Sequence, residues 1–475
     1  MFANMIFVAS NRTAAVLASM LAIWVLFPGV LAAQQTPPLP ACEPGAAALA
    51  TPCLAILGFD AGMSPGDRED AALGAGAIVR HNFSITSATA VLVPNQRAYD
   101  ALTADSRIAR IIPDRPVFAF KPERCSPWPS CRDSGGTAPV TADVVPAGVA
   151  RIGADTASHT GIGIGVAIVD TGIDYAHADL NPAADYFDAF GGDGSDDNGH
   201  GTHVAGIVAA LKNSAGIVGV APEATLYAVK VLDSNGSGYD SGIIAGLDWV
   251  NGRTDIQVIN MSLGRSGTCG DAGWTTGDTT NAPDNPFLRV AIQKLAANGI
   301  SVIVAAGNDP NKEVKNMVPA SCPEAIAVAS TTAEQGKSKC KRIAQGLVKA
   351  DTASFFTTDG TFTGGIGVTI SAPGATREDN TCTMLQTVGI ESLALGGGTT
   401  TMSGTSMAAP HVAGVTALLY DQDSGISPEC VRTKIMASAN RRGVAPLDSL
   451  SGAYTFDGSR EGVLDAQGAI DAACP

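Results

Sequence analysis

From about residue 165 onward, short continuous apolar runs alternate with stretches of helical period. GVAIVD (165–170), ATLYAVKVL (224–232), IQVINMSL (256–263), GISVIVAAGN (299–308) and EAIAVAS (324–330) are too short for core helices and lack the polar alternation of a half-exposed strand. They predict strands buried on both faces, the pattern of a parallel sheet. HVAGIVAAL (203–211), GYDSGIIAGLDWVNG (238–252) and FLRVAIQKLAANG (287–299) intervene with helical spacing. The alternation predicts an α/β domain with a mainly parallel sheet and helices on both faces. In such domains chemistry gathers at the carboxyl ends of the strands. A different pattern precedes it. LAILGF (54–59), AIVRHNFSIT (77–86), ATAVLV (88–93) and RIARIIPDRPVFAF (107–120) surround a polar helical stretch and predict a small α+β unit over residues 54–120.

The segments between these units have no periodicity. Residues 34–53 are rich in proline and alanine, and the stretch KPERCSPWPSCRDSGGTAPVTADVVP marks an exposed linker, placed at 121–142. Residues 1–33 carry Arg12 ahead of an apolar run that ends in small residues, a secretory signal peptide pattern. Pro28 and Gly29 interrupt the run and no basic flank follows, which argues against a membrane anchor. No membrane association is expected once the signal is removed, and the expected location is extracellular or periplasmic. The 10 cysteines include no CxxC pair, so with a signal peptide they read as disulfides. Joining sequence neighbours gives Cys42–Cys53, Cys125–Cys131, Cys340–Cys382 and Cys430–Cys474, leaving Cys269–Cys322. A net charge of −15 without a basic run excludes a nucleic-acid partner on electrostatic grounds.

Three places carry chemistry. GVAIVDTGID ends a strand in Asp170, a carboxylate at the tip of an apolar run. NGHGTHVAG opens a helix with His200 and His203, three residues apart. MSGTSMAAPHVAG turns at Gly404 and Thr405 into a helix beginning near Ser406, where exposed N–H groups and the helix dipole favour developing negative charge. A serine hydroxyl needs an imidazole to take its proton and a carboxylate to orient that imidazole. Asp170, His200 and Ser406 supply these groups. Singly, each has a plainer reading as cap, turn former or packed residue.

Together, DTGID, HGTHVAG and GTSMAAPHVAG, in the order Asp, His, Ser, closely resemble the subtilisin-like serine peptidases. The resemblance runs from about Val145 to Ala473 and is densest over HGTHVAGIVAALKNSAGIVGVAPEATLYAVKVLDSNGSG. It implies a three-layer subtilisin-like catalytic domain at 143–475, preceded by an inhibitory propeptide at 54–120. It also implies that His200 is the catalyst and His203 its support; no HExxH or third ligand motif favours a metal pair. By the same resemblance Asn308, at the end of SVIVAAGN, donates to the oxyanion with the Ser406 N–H. Gly236, Ser237 and Gly238 on one side, and Ser262, Leu263 and Gly264 on the other, flank an extended peptide substrate. Asn316, Met317 and Val318 depart from better-known members at the pocket wall, and Cys269 interrupts a nearby loop. A structural calcium ion is implied, held by Asp179, Asn213, Asp143 and the carbonyls of Leu211, Ala215 and Ile217. The acidic run DGSDDN (193–198) reads as an ordinary solvated surface.

These readings converge on a secreted serine endopeptidase that processes itself near Phe120, with protein substrates and its own propeptide as partners. Nothing requires more than a monomer, and EGVLDAQGAIDAAC resembles the family's last helix, leaving no separate C-terminal binding domain. Two other readings compete. A catalytically silent peptide-binding relative would lack one of the four chemical positions, all of which are present. An α/β-hydrolase esterase would place its serine in GxSxG, whereas Ser406 lies in GTSMA.

Overall fold

The computed structural model describes residues 39–43, 50–120, 142–271, 282–338, 347–381, 384–451 and 458–474. The expected signal peptide, most of the expected linker, and the expected Cys125–Cys131 and Cys340–Cys382 pairings lie outside them. The N-terminal unit contains β1 (Cys53–Phe59), α1 (Pro65–Gly74), β2 (Ile78–Asn82), β3 (Ala88–Val93), α2 (Gln96–Ala104) and β4 (Ile108–Pro113). Its antiparallel sheet has the order β2-β3-β1-β4. Sequence pattern predicts RIARIIPDRPVFAF as one run of this unit, but the chain leaves the sheet after Pro113. Its continuation β5 (Pro116–Ala119) joins a different sheet. Pro113 and Pro116 cannot donate to a ladder, so a strand passing through both is interrupted there.

The large domain begins with α3 (Ala147–Arg151), β6 (Gly165–Asp170), β7 (Phe187–Asp188), α4 (His200–Ala209), β8 (Thr225–Lys230) and β9 (Ser237–Tyr239). It continues through α5 (Asp240–Asn251), β10 (Val258–Met261), β11 (Leu263–Ser266), α6 (Pro286–Ala297), β12 (Ser301–Ala305) and β13 (Met317–Val318). Then come β14 (Ile326–Thr332), β15 (Ile370–Ala375), the hairpins β16 (Arg377–Asn380) with β17 (Leu385–Val388) and β18 (Ile390–Leu393) with β19 (Thr399–Met402), and helices α7 (Thr405–Gln422), α8 (Pro428–Ser438) and α9 (Ala466–Asp471).

Seven strands form one parallel sheet in the order β15-β14-β12-β10-β6-β8-β7. Alternation along β6 shows why its apolar run is continuous. Val166 and Ile168 face a core shared with α4 and α7, whereas Ala167 and Val169 face one shared with α5 and α6. Helix α4 is buried on every side, so it shows no polar face. Its glycines allow this closeness: a Cβ on Gly206 would stand 2.5 Å from Ser392 Oγ.

The N-terminal unit docks on α5 and α6. Asp248 of α5 accepts the Ser84 and Ile85 N–H groups at 2.6 and 2.7 Å. Phe287 at the start of α6 fills the space over Gly58, where a Cβ would lie 2.3 Å from its ring. Disulfides join Cys42–Cys53, Cys269–Cys322 and Cys430–Cys474, three of the pairs expected from sequence. Among the described residues no helix is long and apolar enough to cross a membrane.

Candidate active site

Asp170 ends β6 and His200 begins α4, and the two side chains meet with His200 Nδ1 donating to Asp170 Oδ1 at 2.7 Å. Asp170 is fully buried and His200 nearly so. A buried imidazole ordinarily loses its proton more easily. The Asp170 charge and hydrogen bond reverse that effect and hold His200 above its usual value. Its Nε2 is buried and makes no hydrogen bond. His203 has a different setting: it donates from Nε2 to the Ile390 carbonyl at 3.1 Å, and burial, then the nearby His200, push it down to about 3. The two rings serve different partners.

The turn carrying this pair is tied together by a residue that the acidic run conceals. DGSDDN is not simply a solvated surface, because Asp196 within it is buried. Its Oδ1 accepts from the Thr171 hydroxyl at 2.8 Å and the Gly199 N–H at 2.9 Å, while Oδ2 accepts from the Thr202 N–H and hydroxyl at 2.9 and 2.6 Å. Thr171 Oγ1 in turn accepts the Gly201 N–H. Asp196 therefore pins the end of β6 to the first turn of α4. HGTH and DTG supply these threonines, but nothing in their spacing identifies the carboxylate that joins them.

Ser406 is the second residue of α7. Pro410, four residues on, has no N–H to give the Ser406 carbonyl its helical partner. The Ser262 hydroxyl donates there instead at 2.9 Å, itself accepting from Asn260 Nδ2. Sequence reading assigns Ser262 only to a substrate strand; its side chain also anchors the serine turn. Asn308 lies beyond β12, and its Oδ1 accepts from the Thr405 N–H and hydroxyl at 2.9 and 2.8 Å. Its amide nitrogen is thereby turned toward the start of α7, where a Cβ on Gly404 would be 3.0 Å from Asn308 Nδ2 and 3.6 Å from the Ser406 nitrogen.

A segment of the chain itself occupies the cleft. β5 lies between β9 and β11, antiparallel to both: Phe118 is opposite Ser237 and Gly264, Val117 opposite Gly238, and Ala119 opposite Leu263. The Ala119 N–H donates to the Gly236 carbonyl at 2.8 Å. The next residue, Phe120, brings its carbonyl oxygen to 3.4 Å from the Ser406 hydroxyl, which also reaches the Ser262 carbonyl at 3.2 Å. Beside Phe120 is a cavity of about 410 Å³ between Gly264, Ser266, Asn308 and Met317. A Cβ on Gly264 would approach within 2.6 Å of the Phe120 ring. Strand β13, with Met317 and Val318, pairs with β11 to form the wall where sequence reading places the departure. Arg265 behind that wall had no sequence signal: its buried guanidinium grips Asp240 of α5 through Nε and Nη2 at 3.0 and 2.6 Å.

Three of the expected calcium residues, Asp179, Asn213 and Ile217, lie together. Asp179 accepts from Asn213 Nδ2 and the Ile217 N–H at 3.0 Å each, and Gly216 passes so close that a Cβ would be 2.4 Å from Asp179 Oδ2. Asn213 Oδ1 accepts from the Ala215 N–H. Burial, reinforced by the charge of Asp143, raises Asp179, and Asp143 keeps a buried carboxylate oxygen without a partner. An orphaned oxygen near a second carboxylate suits a hard cation. Among the described residues no group of three or more His, Cys, Asp or Glu could hold a metal, so such a site depends on carbonyl and amide oxygens.

Comparison with known proteins agrees with this architecture. The profile of the Subtilase family matches residues 161–468. Subtilisin DY of Bacillus licheniformis is 35% identical over 312 residues, covering 64% of this chain and 94% of that protein. Subtilisin E of Bacillus subtilis is 31% identical over 398 residues, covering 82% of this chain and 85% of that protein. Fervidolysin from Fervidobacterium pennivorans, a keratinolytic enzyme related to subtilisin, shares the fold with a TM-score of 0.61 at 22% identity. That match covers 89% of this chain and 61% of fervidolysin. The chain belongs to the subtilase family and is a subtilisin-like serine endopeptidase.

Proposed function

We propose that the chain is the zymogen of a secreted endopeptidase, with residues 54–120 as its inhibitory propeptide and the bond after Phe120 as its self-cleavage site. The observation that carries this reading is the Phe120 carbonyl beside the Ser406 hydroxyl, at the end of a strand held on both edges. Substrates bind as the same added strand, with main-chain hydrogen bonds giving affinity and the Gly264–Met317 cavity taking the side chain before the cut. Export is supported by the pattern of residues 1–33 and by the disulfides.

In the reaction, His200 Nε2 takes the Ser406 proton as Oγ attacks the carbonyl carbon, and Asp170 holds the imidazolium that forms. The Asn308 amide and the Ser406 N–H stabilise the oxyanion. His200 then passes its proton to the leaving amine, and a water molecule activated by the same imidazole releases the acyl group. Calcium would be held by Asp143, Asp179, Asn213 and the carbonyls of Leu211, Ala215 and Ile217, where it would cross-link the 211–217 loop to the segment before α3. A fluorophosphonate, which reacts only with activated serines, tests the assignment. Peptide mapping should find the label on Ser406 in the processed enzyme and none after Asp170→Ala; label on another serine would refute the triad.

A further inference from the structure

Residues 39–43 fall in the proline- and alanine-rich stretch that sequence pattern leaves outside the N-terminal unit, yet they are built into it. The Cys42 N–H donates to the Leu54 carbonyl and the Leu54 N–H to the Pro40 carbonyl, each at 2.9 Å, so the segment forms a parallel bridge beside the start of β1. Cys42 is joined to Cys53, and both cysteines are fully buried in the core of the unit with Ala55 and Leu57. Two further contacts reach the tail. The Leu54 carbonyl also accepts the Asp114 N–H at 3.2 Å, where the chain leaves β4 for the cleft, and Glu43 pairs with Arg115 at 3.0 Å.

The segment also reaches the large domain. The Tyr239 hydroxyl, at the end of β9, donates to the Leu39 carbonyl at 3.2 Å, and the Arg80 guanidinium of β2 stands 6.0 Å from the centre of the same ring. In the β5–β9 ladder Tyr239 is opposite Pro116, which has no N–H to give. Where the backbone grip on the tail thins, two separate parts of the N-terminal unit hold the cleft wall by a side chain instead. A segment this short, ordered for so few bonds, would not stay in place unaided, because fixing its backbone costs more than those bonds return. The disulfide offsets that cost by limiting the freedom of the segment before it docks.

We propose that residues 39–43, tied down by Cys42–Cys53, are a clasp of the inhibitor: they hold the point where the tail leaves the N-terminal unit and grip Tyr239 of the cleft wall, so that the unit stays on the enzyme after the bond is cut. The proposal rests on the reading of Phe120 as the residue before the cut. The Glu43–Arg115 pair is exposed and adds little; the Tyr239 contact and the disulfide carry the effect.

The test compares three chains folded with calcium: the chain from Gln34, the same chain with Cys42→Ala, and a chain beginning at Ala41, which keeps the disulfide but lacks Leu39 and Pro40. All three yield the same enzyme once the N-terminal unit has gone, so a difference between them arises in that unit. Intact mass times the cut, and hydrolysis of FAF nitroanilide, which matches Phe118–Phe120, times the appearance of free enzyme. In the chain from Gln34 activity should trail the cut. In both altered chains that delay should shorten by about fivefold, the scale of one lost hydrogen bond, with the cut itself at an unchanged rate. Should Cys42→Ala fold too poorly to be cut, the chain beginning at Ala41 decides. Equal delays, or no delay in the chain from Gln34, would overturn the clasp and leave the cleavage reading standing. No cut in the chain from Gln34 would overturn the cleavage reading and the clasp with it.

Discussion

The two halves of the centre are assembled differently. The Asp170–His200 half is fixed by the scaffold: a buried strand end and a buried helix start are pinned through Thr171, Asp196 and Thr202, and the carboxylate–imidazole bond is already made. The Ser406–Asn308 half has its backbone fixed by Ser262 and Thr405, but the Ser406 hydroxyl itself faces Phe120 and Ser262 while His200 Nε2 has no hydrogen-bond partner. The difference separates what the fold dictates from what the occupant of the cleft dictates. The His200 ring is held by contacts within the scaffold, whereas the Ser406 hydroxyl has two acceptors, one of them from the bound segment.

The largest effect should come from breaking the fixed half. Asp170→Asn would leave the ring packed but favour the wrong tautomer, lowering kcat on a peptide substrate by about 10⁴-fold; a loss of only a few fold would show that the pair does not orient the base. On the other half, Asn308→Ala should lower kcat by about 10²–10³-fold with KM little changed. Thr405→Val, which removes the hydroxyl bond to the Asn308 amide oxygen, should produce a smaller loss of the same kind, and a rise in KM alone would place Thr405 outside this role.

The pH profile tests the coupling. The base must be neutral to accept a proton, and Asp170 raises His200 above its ordinary value. The rising limb of kcat/KM against pH should therefore lie above the usual imidazole range. In Asp170→Asn it should move to lower pH, because burial then acts without the opposing charge; an unmoved limb would assign the titration to another group. The smallest effect concerns the 211–217 loop. A chelator should lower the Tm of the processed enzyme, and an Asp143→Asn, Asp179→Asn variant should lose most of that sensitivity.

Legibility in the sequence followed the range of the interactions. The buried strands were readable because both faces of each are covered, as the two cores sharing β6 show. Asp170, His200 and Ser406 stand out because the glycines and small residues around each are local requirements of tight turns and close helix packing. Asp196 did not, since an acidic residue among acidic residues looks solvated until Thr171 and Thr202 close around it. Arg265 was equally silent, because its partner Asp240 belongs to another element 25 residues away. The split of the last N-terminal run at Asp114 was marked by two prolines, but its consequence depends on a cleft assembled from β9 and β11, far along the chain. The hairpins β16–β17 and β18–β19 were not expected, and their partly polar, short strands carry little pattern of their own.

Self-processing by this site would sever the chain's own backbone after Phe120. Intact-mass measurement of the chain from Gln34, folded with calcium as wild type and as Ser406→Ala, tests it most directly. The wild type should yield a fragment ending at Phe120, and the alanine variant should remain whole with its N-terminal unit attached. Cleavage at Phe120 in both proteins would assign the cut to another protease, and a folded wild type that stays whole would contradict self-processing.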